Sequence, residues 1–264
     1  MPSHPAMEAS TWLATIPSRR SRRAFDTHAL SHEDLDAIAT LCSRFTPYED
    51  ARVLLLPEAP ETVFTGLIGS YGKVTGSPSA LVFIADAASP HAEEHLGYTG
   101  EAVVLAADAR GMQTCWIGGS FSRSAVTRIV TLRESQVVRA VSPLGHALLE
   151  PPRAERVMFG ASKPKSRRSL DQIAAGQEDW PAWAQAGVRA AQVAPSAMNR
   201  QPWRFRMEGD SVIVATSGVR TPVVSTRLDC GIAMLHFELG ARGEGLDGEW
   251  EALEGHDIAR WSPR

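Results

Sequence analysis

The chain has 264 residues, a formal net charge of −3, and a composition of 44% hydrophobic and 22% charged residues. That length admits one large domain or two small ones with a core that needs no staples, and the composition excludes a disordered or collagen-like chain. The charge gives no electrostatic footprint for nucleic acid, and no apolar run approaches the roughly 18 residues of a membrane span, so neither partner is expected. The opening MPSHPAMEAS lacks a basic stretch leading into an apolar one, which speaks against secretion. Cys42, Cys115 and Cys230 form no closely spaced pair, as suits a reducing cytoplasm.

In chain order, a short helix is expected around Thr11–Ile16, followed by the basic knot Arg19-Arg20-Ser21-Arg22-Arg23. Ser31 is placed to cap a helix over 31–45, with Asp34 three residues on and Leu35, Ile38, Ala39 and Cys42 at helical spacing. Arg52–Leu56 reads as a buried strand, Glu61–Ser70 as a helix and Ala80–Asp86 as a second buried strand. Gly97–Gly111 reads as a helix closed by glycine, and Thr114–Ile117 as a short strand before the turn Gly118-Gly119. Residues 150–168 are proline-rich, basic and aperiodic, the pattern of a connector. Asp179 is placed to cap a helix with Pro181 in its first turn, running to about Val193. A loop over 194–202, a hairpin of Trp203–Met207 with Ser211–Thr216, a helix over Leu228–Gly243 and a final strand over Gly248–Leu253 complete the chain. YTGEAVVLAADARG at 98–111 resembles DCGIAMLHFELGARG at 229–243, each with a tryptophan shortly after. That is a weak repeat of one helix-then-strand unit.

Three segments carry candidate chemistry. In Arg19-Arg20-Ser21-Arg22-Arg23, alternation sets Arg19, Ser21 and Arg23 on one side of an extended segment. Guanidinium forks with a hydroxyl suit a phosphate and polyol chain, although a solvated basic turn has the same composition. Lys163-Pro164-Lys165-Ser166-Arg167-Arg168 is a second phosphate-suited cluster, or a plain basic linker. Pro195-Ser196-Ala197-Met198-Asn199-Arg200-Gln201-Pro202-Trp203 is a loop with amide and hydroxyl groups that suit the polar edge of a planar ligand, or that staple the loop itself. His91-Ala92-Glu93-Glu94-His95 fits an H-x-x-E-H zinc pattern literally. It follows Ser89-Pro90 at a helix start, where glutamates are favoured by the macrodipole, and no third ligand stands out, so no metal is expected.

Together these segments resemble the nitroreductase family of FMN-dependent oxidoreductases. Arg-x-Ser-x-Arg before Ala24-Phe25, APSAMNRQPWRF at 194–205, GYTGEAVVLAADARGMQTCWIGG at 97–119 and KPKSRRSL at 163–170 carry the likeness. The order is unusual: the Asn-Gln-Pro-Trp loop follows the helix ending near Val193, where an ordinary member has it after its first long helix. The resemblance implies an α+β fold of two diverged half-domains, 1–160 and 161–264, each a mostly antiparallel sheet flanked by helices. They would form an intrachain pseudo-dimer with one composite site, in place of the family's usual homodimer, though a homodimer stays open. It implies FMN as cofactor, NAD(P)H as co-substrate and a small electron-poor acceptor such as a nitroaromatic or quinone. Arg19, Arg20, Ser21 and Arg23 would hold the ribityl-phosphate and flavin carbonyl end, and Lys165 and Arg167 the phosphate. Ser70 and Lys73 would face the pyrimidine edge, with Trp116, Ile117, Gly118 and Gly119 near N5, and Pro195, Ser196 and Asn199, supported by Gln201, would close the site. A flavin-binding sensor or sequestering module without turnover is the alternative.

Overall fold

The computed structural model describes residues 6–64, 74–148, 167–218 and 224–264, with side chains from residue 9 onward. Ser70, Lys73 and Lys165 lie outside the described residues, as does most of the expected connector over 150–168. By internal contacts the chain divides into two units, one of residues 19–92 and 103–166 and one of residues 1–18, 93–102 and 167–264. Among the described residues, no helix is long and apolar enough to cross a membrane.

The unit of residues 19–92 and 103–166 is built on β1 (Ala51–Leu56), β2 (Ser79–Asp86), β3 (Gln113–Thr114) and β4 (Gln136–Gly145). They form an antiparallel sheet in the order β1-β2-β4-β3. β2 is buried from Ser79 to Ala85, which is why its sequence is a continuous apolar run without alternation. Ala80, Val82 and Ile84 pack with Phe25, Val63, Val126 and Val141 in the core. Helix α2 (His32–Arg44) begins as the sequence dictates, the Ser31 hydroxyl accepting from the Asp34 amide, and Ile38 is its buried anchor. Helix α4 (Arg123–Ile129) is likewise capped, by Ser122.

The other unit carries β5 (Trp203–Glu208), β6 (Ser211–Thr216), β7 (Gly248–Ala252) and β8 (Asp257–Pro263), antiparallel in the order β5-β6-β8-β7. Helices α1 (Ala6–Thr15), α5 (Leu170–Ile173), α6 (Ala182–Gln192) and α7 (Thr226–Gly243) accompany it. The aromatic core gathers on Phe237, whose ring contacts Trp183, Phe205, Trp250 and Trp261. Gly187 makes room for it, since a Cβ there would lie 2.6 Å from the Phe237 ring.

The two sheets repeat one plan. Ala51 pairs with Ala85 and the bulge falls between Phe83 and Ile84; Trp203 pairs with Thr216 and the bulge falls between Val214 and Ala215. The two bulges fall at matching registers, and each re-aims its strand. Helix α3 (Ala92–Ala109) and α7 are both 18 residues long and align without a gap, Gly97 on Gly231. Their ends are alike too. C-caps Arg110 and Glu244 are followed by left-handed Gly111 and Gly245, at φ 79° and 81°. Met112 and Leu246 amides bond back to Ala107 and Ala241, completing the same glycine stop.

Several expectations need correction. The helix expected over Glu61–Ser70 is a single 3₁₀ turn at Glu61–Phe64 as far as it is described. β3 stops at Thr114, because the Cys115 amide donates to the Ser142 hydroxyl and Pro143 opposite has no N–H to give; Ile117 resumes the same register in an isolated bridge to Val141. Asp179 does not cap α6: it ends a 3₁₀ turn, and Pro181 takes the cap position. The helix expected from Gly97 starts at Ala92. The strand expected last, over Gly248–Leu253, is followed by β8, which lies between β6 and β7.

Candidate functional site

The candidate residues fall into two sets, one in each unit. In the unit of residues 19–92 and 103–166, the basic knot runs extended beside β3. Ser21 bridges Thr114 in parallel fashion, and the Arg22 amide donates to the Thr114 carbonyl at 2.9 Å. The other edge of the segment is held by Thr75, whose amide donates to the Arg23 carbonyl and whose carbonyl accepts from the Phe25 amide, both at 2.9 Å. Trp116–Gly119 follow directly from β3, so the structure brings the first and the central motif together. Ile117 is fixed by two hydrogen bonds to Val141, at 2.9 and 3.0 Å. Trp116 stacks on buried Phe83 with ring centroids 4.0 Å apart.

The chemistry of this set is that of hydrogen-bond donors. Arg19 is buried, while Arg22 and Arg23 are half-buried. Among the described residues neither the Arg22 nor the Arg23 guanidinium has a carboxylate partner, and the Ser21 hydroxyl and the Gly118 and Gly119 amides have no acceptor. Arg20 turns one guanidinium nitrogen onto the Arg19 carbonyl. The buried Thr114 hydroxyl, beside Ser21, is unpartnered. Half-buried cations and open N–H and O–H donors cost free energy unless an anion or oxygen-rich ligand meets them. The nearest acid in sequence, Asp26, is engaged by the His28 amide and ring, which hold its carboxyl below the usual range.

The second set is the loop Ala194–Pro202 with Arg167. Here the side chains chiefly build the loop. The Ser196 hydroxyl accepts from the Gln201 amide at 3.0 Å. Gln201 is 2% exposed. Its side-chain NH₂ donates to the Asn199 backbone and side-chain oxygens, and its side-chain oxygen accepts from the Arg168 amide. The Arg167 guanidinium donates to the carbonyls of Val193 and Ala194 and to Asn199 Oδ1. Three non-glycine residues, Met198, Asn199 and Gln201, sit at positive φ between 48° and 55°. Such strain persists only where the surroundings over-determine the backbone, and it clusters at ligand sites. Met198 is 77% exposed on this turn.

The anchor of the loop escaped the sequence reading. Asp229, in the first turn of α7, accepts from the Ala197 amide at 3.1 Å and from Arg200 Nε at 2.6 Å. Arg200 also donates to the carbonyls of Val224 and Ser225. An acid in a first helical turn ordinarily serves the macrodipole, and nothing local marks this one as a tie to a loop some thirty residues earlier. Burial pushes the Asp229 carboxyl up to about 6, against the opposing pull of Arg200. Folded Asp229 therefore takes up its proton at higher pH than the unfolded chain, and its stabilising contribution grows as pH falls through about 6. The unfolding free energy of the wild type relative to Asp229→Asn is expected to rise by about 1 kcal/mol from pH 7 to pH 5. Urea titrations of both proteins at the two pH values measure it, and a difference that stays flat or shrinks refutes the assignment.

The H-x-x-E-H segment is put to another use: Glu94 is buried in an ion pair with Arg227. Among the described residues no cluster of three or more potential metal ligands occurs.

Comparison with known proteins adds three findings. A family model described as "Putative TM nitroreductase" matches residues 12–241. Among solved structures, a "putative nitroreductase" from Thermotoga maritima MSB8 is similar over 95% of this chain and 92% of its own, at 20% identity and a TM-score of 0.62. A nitroreductase with bound FMN from Bacteroides fragilis NCTC 9343 aligns with 53% of this chain and 92% of its own, at 19% identity and a TM-score of 0.43. No curated protein matches the chain.

Proposed function

The chain belongs to the family described as "Putative TM nitroreductase", and from that premise we propose that it is an FMN-dependent oxidoreductase. Its reductant is NAD(P)H, and its acceptor is a small electron-poor molecule such as a nitroaromatic or quinone. The observation that carries this reading is the donor set around Ser21 and Thr114. It offers guanidinium forks, hydroxyls and backbone amides to an anionic, oxygen-rich ligand, and among the described residues Arg22 and Arg23 have no carboxylate partner. The phosphate, ribityl and carbonyl oxygens of FMN fit that chemistry.

When bound, FMN supplies the two-electron chemistry, accepting a hydride from NAD(P)H and passing it to the acceptor. The protein's part is to bind and to tune. Arg19, Arg20, Ser21 and Arg23 are assigned to the phosphate, the ribityl chain and the carbonyl end. Cations there favour added negative charge on the cofactor. The amides following Trp116 are assigned to the ring edge, and the strained Asn199 turn, held by Asp229 and Arg200, to closing the site. Arg167, tied to Asn199, and Lys165 complete the assignment to the phosphate, with Ser70 and Lys73 assigned to the pyrimidine edge. We read the halves 1–160 and 161–264 as two repeats of one unit fused in a single chain, a pseudo-dimer that holds one FMN and acts in the cytoplasm.

The purified protein is expected to carry one FMN per chain, quantified after denaturation, and to bleach on NADH or NADPH. Arg23→Ala and Asn199→Ala are each expected to weaken FMN binding about tenfold or more, the loss of one strong hydrogen bond to a charged group. Full flavin retention in both variants would sink the site assignment. A flavin that binds but never bleaches would leave a binding module without turnover.

A further inference from the structure

Helices α3 and α7 cross within one unit, since residues 93–102 fall with 167–264. The crossing is reciprocal in backbone. A Cβ on Gly97 would lie 2.1 Å from the Leu228 carbonyl oxygen, and a Cβ on Gly231 would lie 1.9 Å from the Glu94 carbonyl oxygen. In the gapless alignment of the two helices Gly97 matches Gly231 and Glu94 matches Leu228. One contact is thus made twice, i on j and j on i, as in an isologous pairing of two equal helices.

The side chains break that symmetry. Buried Glu94 pairs with Arg227, while the matching positions hold Leu228 and Glu93. Tyr98 donates to Glu238 Oε2 at 2.9 Å; the matching positions hold Ile232 and Val104. Glu101 Oε1 lies 3.0 Å from His236 Nε2, both fully buried; the matching positions hold Leu235 and Ala102. The other His236 nitrogen faces the Ala190 carbonyl at 3.1 Å, which requires it to donate. Each polar pair therefore occurs once, and the matching positions do not repeat it.

We propose that these three pairs are a partner-selecting lock: α3 and α7 of one chain recognise each other, and either helix is barred from pairing with its own counterpart on a second copy. Two copies of α3 crossing in this geometry would set Glu94 against Glu93, Tyr98 against Val104 and Glu101 against Ala102. Two copies of α7 would set Arg227 against Leu228, Glu238 against Ile232 and His236 against Leu235. Either self-pairing would forfeit the Glu94–Arg227, Tyr98–Glu238 and Glu101–His236 contacts, and two copies of α3 would bring like charges together at Glu94 and Glu93, although Glu238 keeps Arg242 on its own helix; lost and like-charge contacts at a buried seam discriminate one pairing from another. The inference rests on the reading of the chain as two repeats of one unit, and not on the flavin chemistry.

The test makes two of the three pairs symmetric and leaves Glu94–Arg227 in place. Tyr98→Ile with Glu238→Val, and Glu101→Leu with His236→Ala, copy onto each helix the residues already present at the matching positions of the other. Wild type and variant, each as a mixture of isotopically light and heavy chains, are unfolded in denaturant and refolded over a range of concentrations. Carboxylate-directed cross-links between α3 of one chain and α3 of another are then counted by mass spectrometry. The variant is expected to give such cross-links at least tenfold above the wild type, rising with concentration. Equal counts in the two proteins, including none in either, would overturn the proposal. Should the fourfold variant fail to regain its circular dichroism, Glu101→Leu/His236→Ala alone carries the same comparison. Flavin content is not read, so a failed cofactor assignment leaves this outcome standing.

Discussion

Gly231→Ala is expected to cost at least about 3 kcal/mol of stability, although alanine is the better helix former by about 1 kcal/mol. The added Cβ would meet the Glu94 carbonyl oxygen at 1.9 Å, its carbon at 2.7 Å and its Cα at 2.8 Å. All three are backbone atoms of a buried helix, so no rotamer change relieves the clash and the two helices must part. Gly243→Ala, in the last turn of the same helix, is the control. There the neighbour is the tip of the Leu13 side chain at 2.6 Å, which can swing away, and the effect is expected to stay within about 1 kcal/mol of zero. Urea unfolding of both variants decides the matter: a Gly231→Ala loss no larger than that of Gly243→Ala would mean the helices do not approach so closely.

That crossing also explains what the sequence could and could not reveal. The Ser31 cap, the continuous apolar β2 and the hairpin of β5 and β6 rest on local chemistry, and each forms as its residues imply. β8 rests on a distant register. Its bulge opposite Val214/Ala215 skips Ile258, so Ile258 and Ala259 are buried in succession and the period-two signal is broken. The helices α3 and α7 are buried on nearly all sides, so Glu94, Glu101 and Glu238 look like solvated faces of amphipathic helices until partners more than a hundred residues away are known. The loop motif at 194–203 was legible as a motif, but not its mechanics. Whether Gln201 reads a ligand or staples the turn depends on the Arg168 amide and on backbone at positive φ, neither of which composition displays.

The buried pair at the head of the seam separates what removing a charge costs from what the pair contributes. Arg227 Nε lies 2.8 Å from Glu94 Oε2 and its Nη2 bonds Glu94 Oε1, with the carboxylate side chain only 1% exposed. Arg227→Ala strands that carboxylate in the interior, and a loss of about 3–5 kcal/mol is expected. Replacing both partners should behave differently. Glu94→Leu installs the residue found at the matching position, Leu228, and with Arg227→Leu it removes both desolvation penalties together with the attraction. The double variant is expected to recover to within about 1 kcal/mol of the wild type. Urea unfolding of Glu94→Leu, Arg227→Leu and the double closes the cycle. A double variant as weak as Arg227→Ala would mean that the pair itself, or the donations of Arg227 to the carbonyls of Leu253 and Gly255, holds the fold. Recovery would leave the pair with little net effect on stability, so that its use lies in choosing which helix α7 packs against.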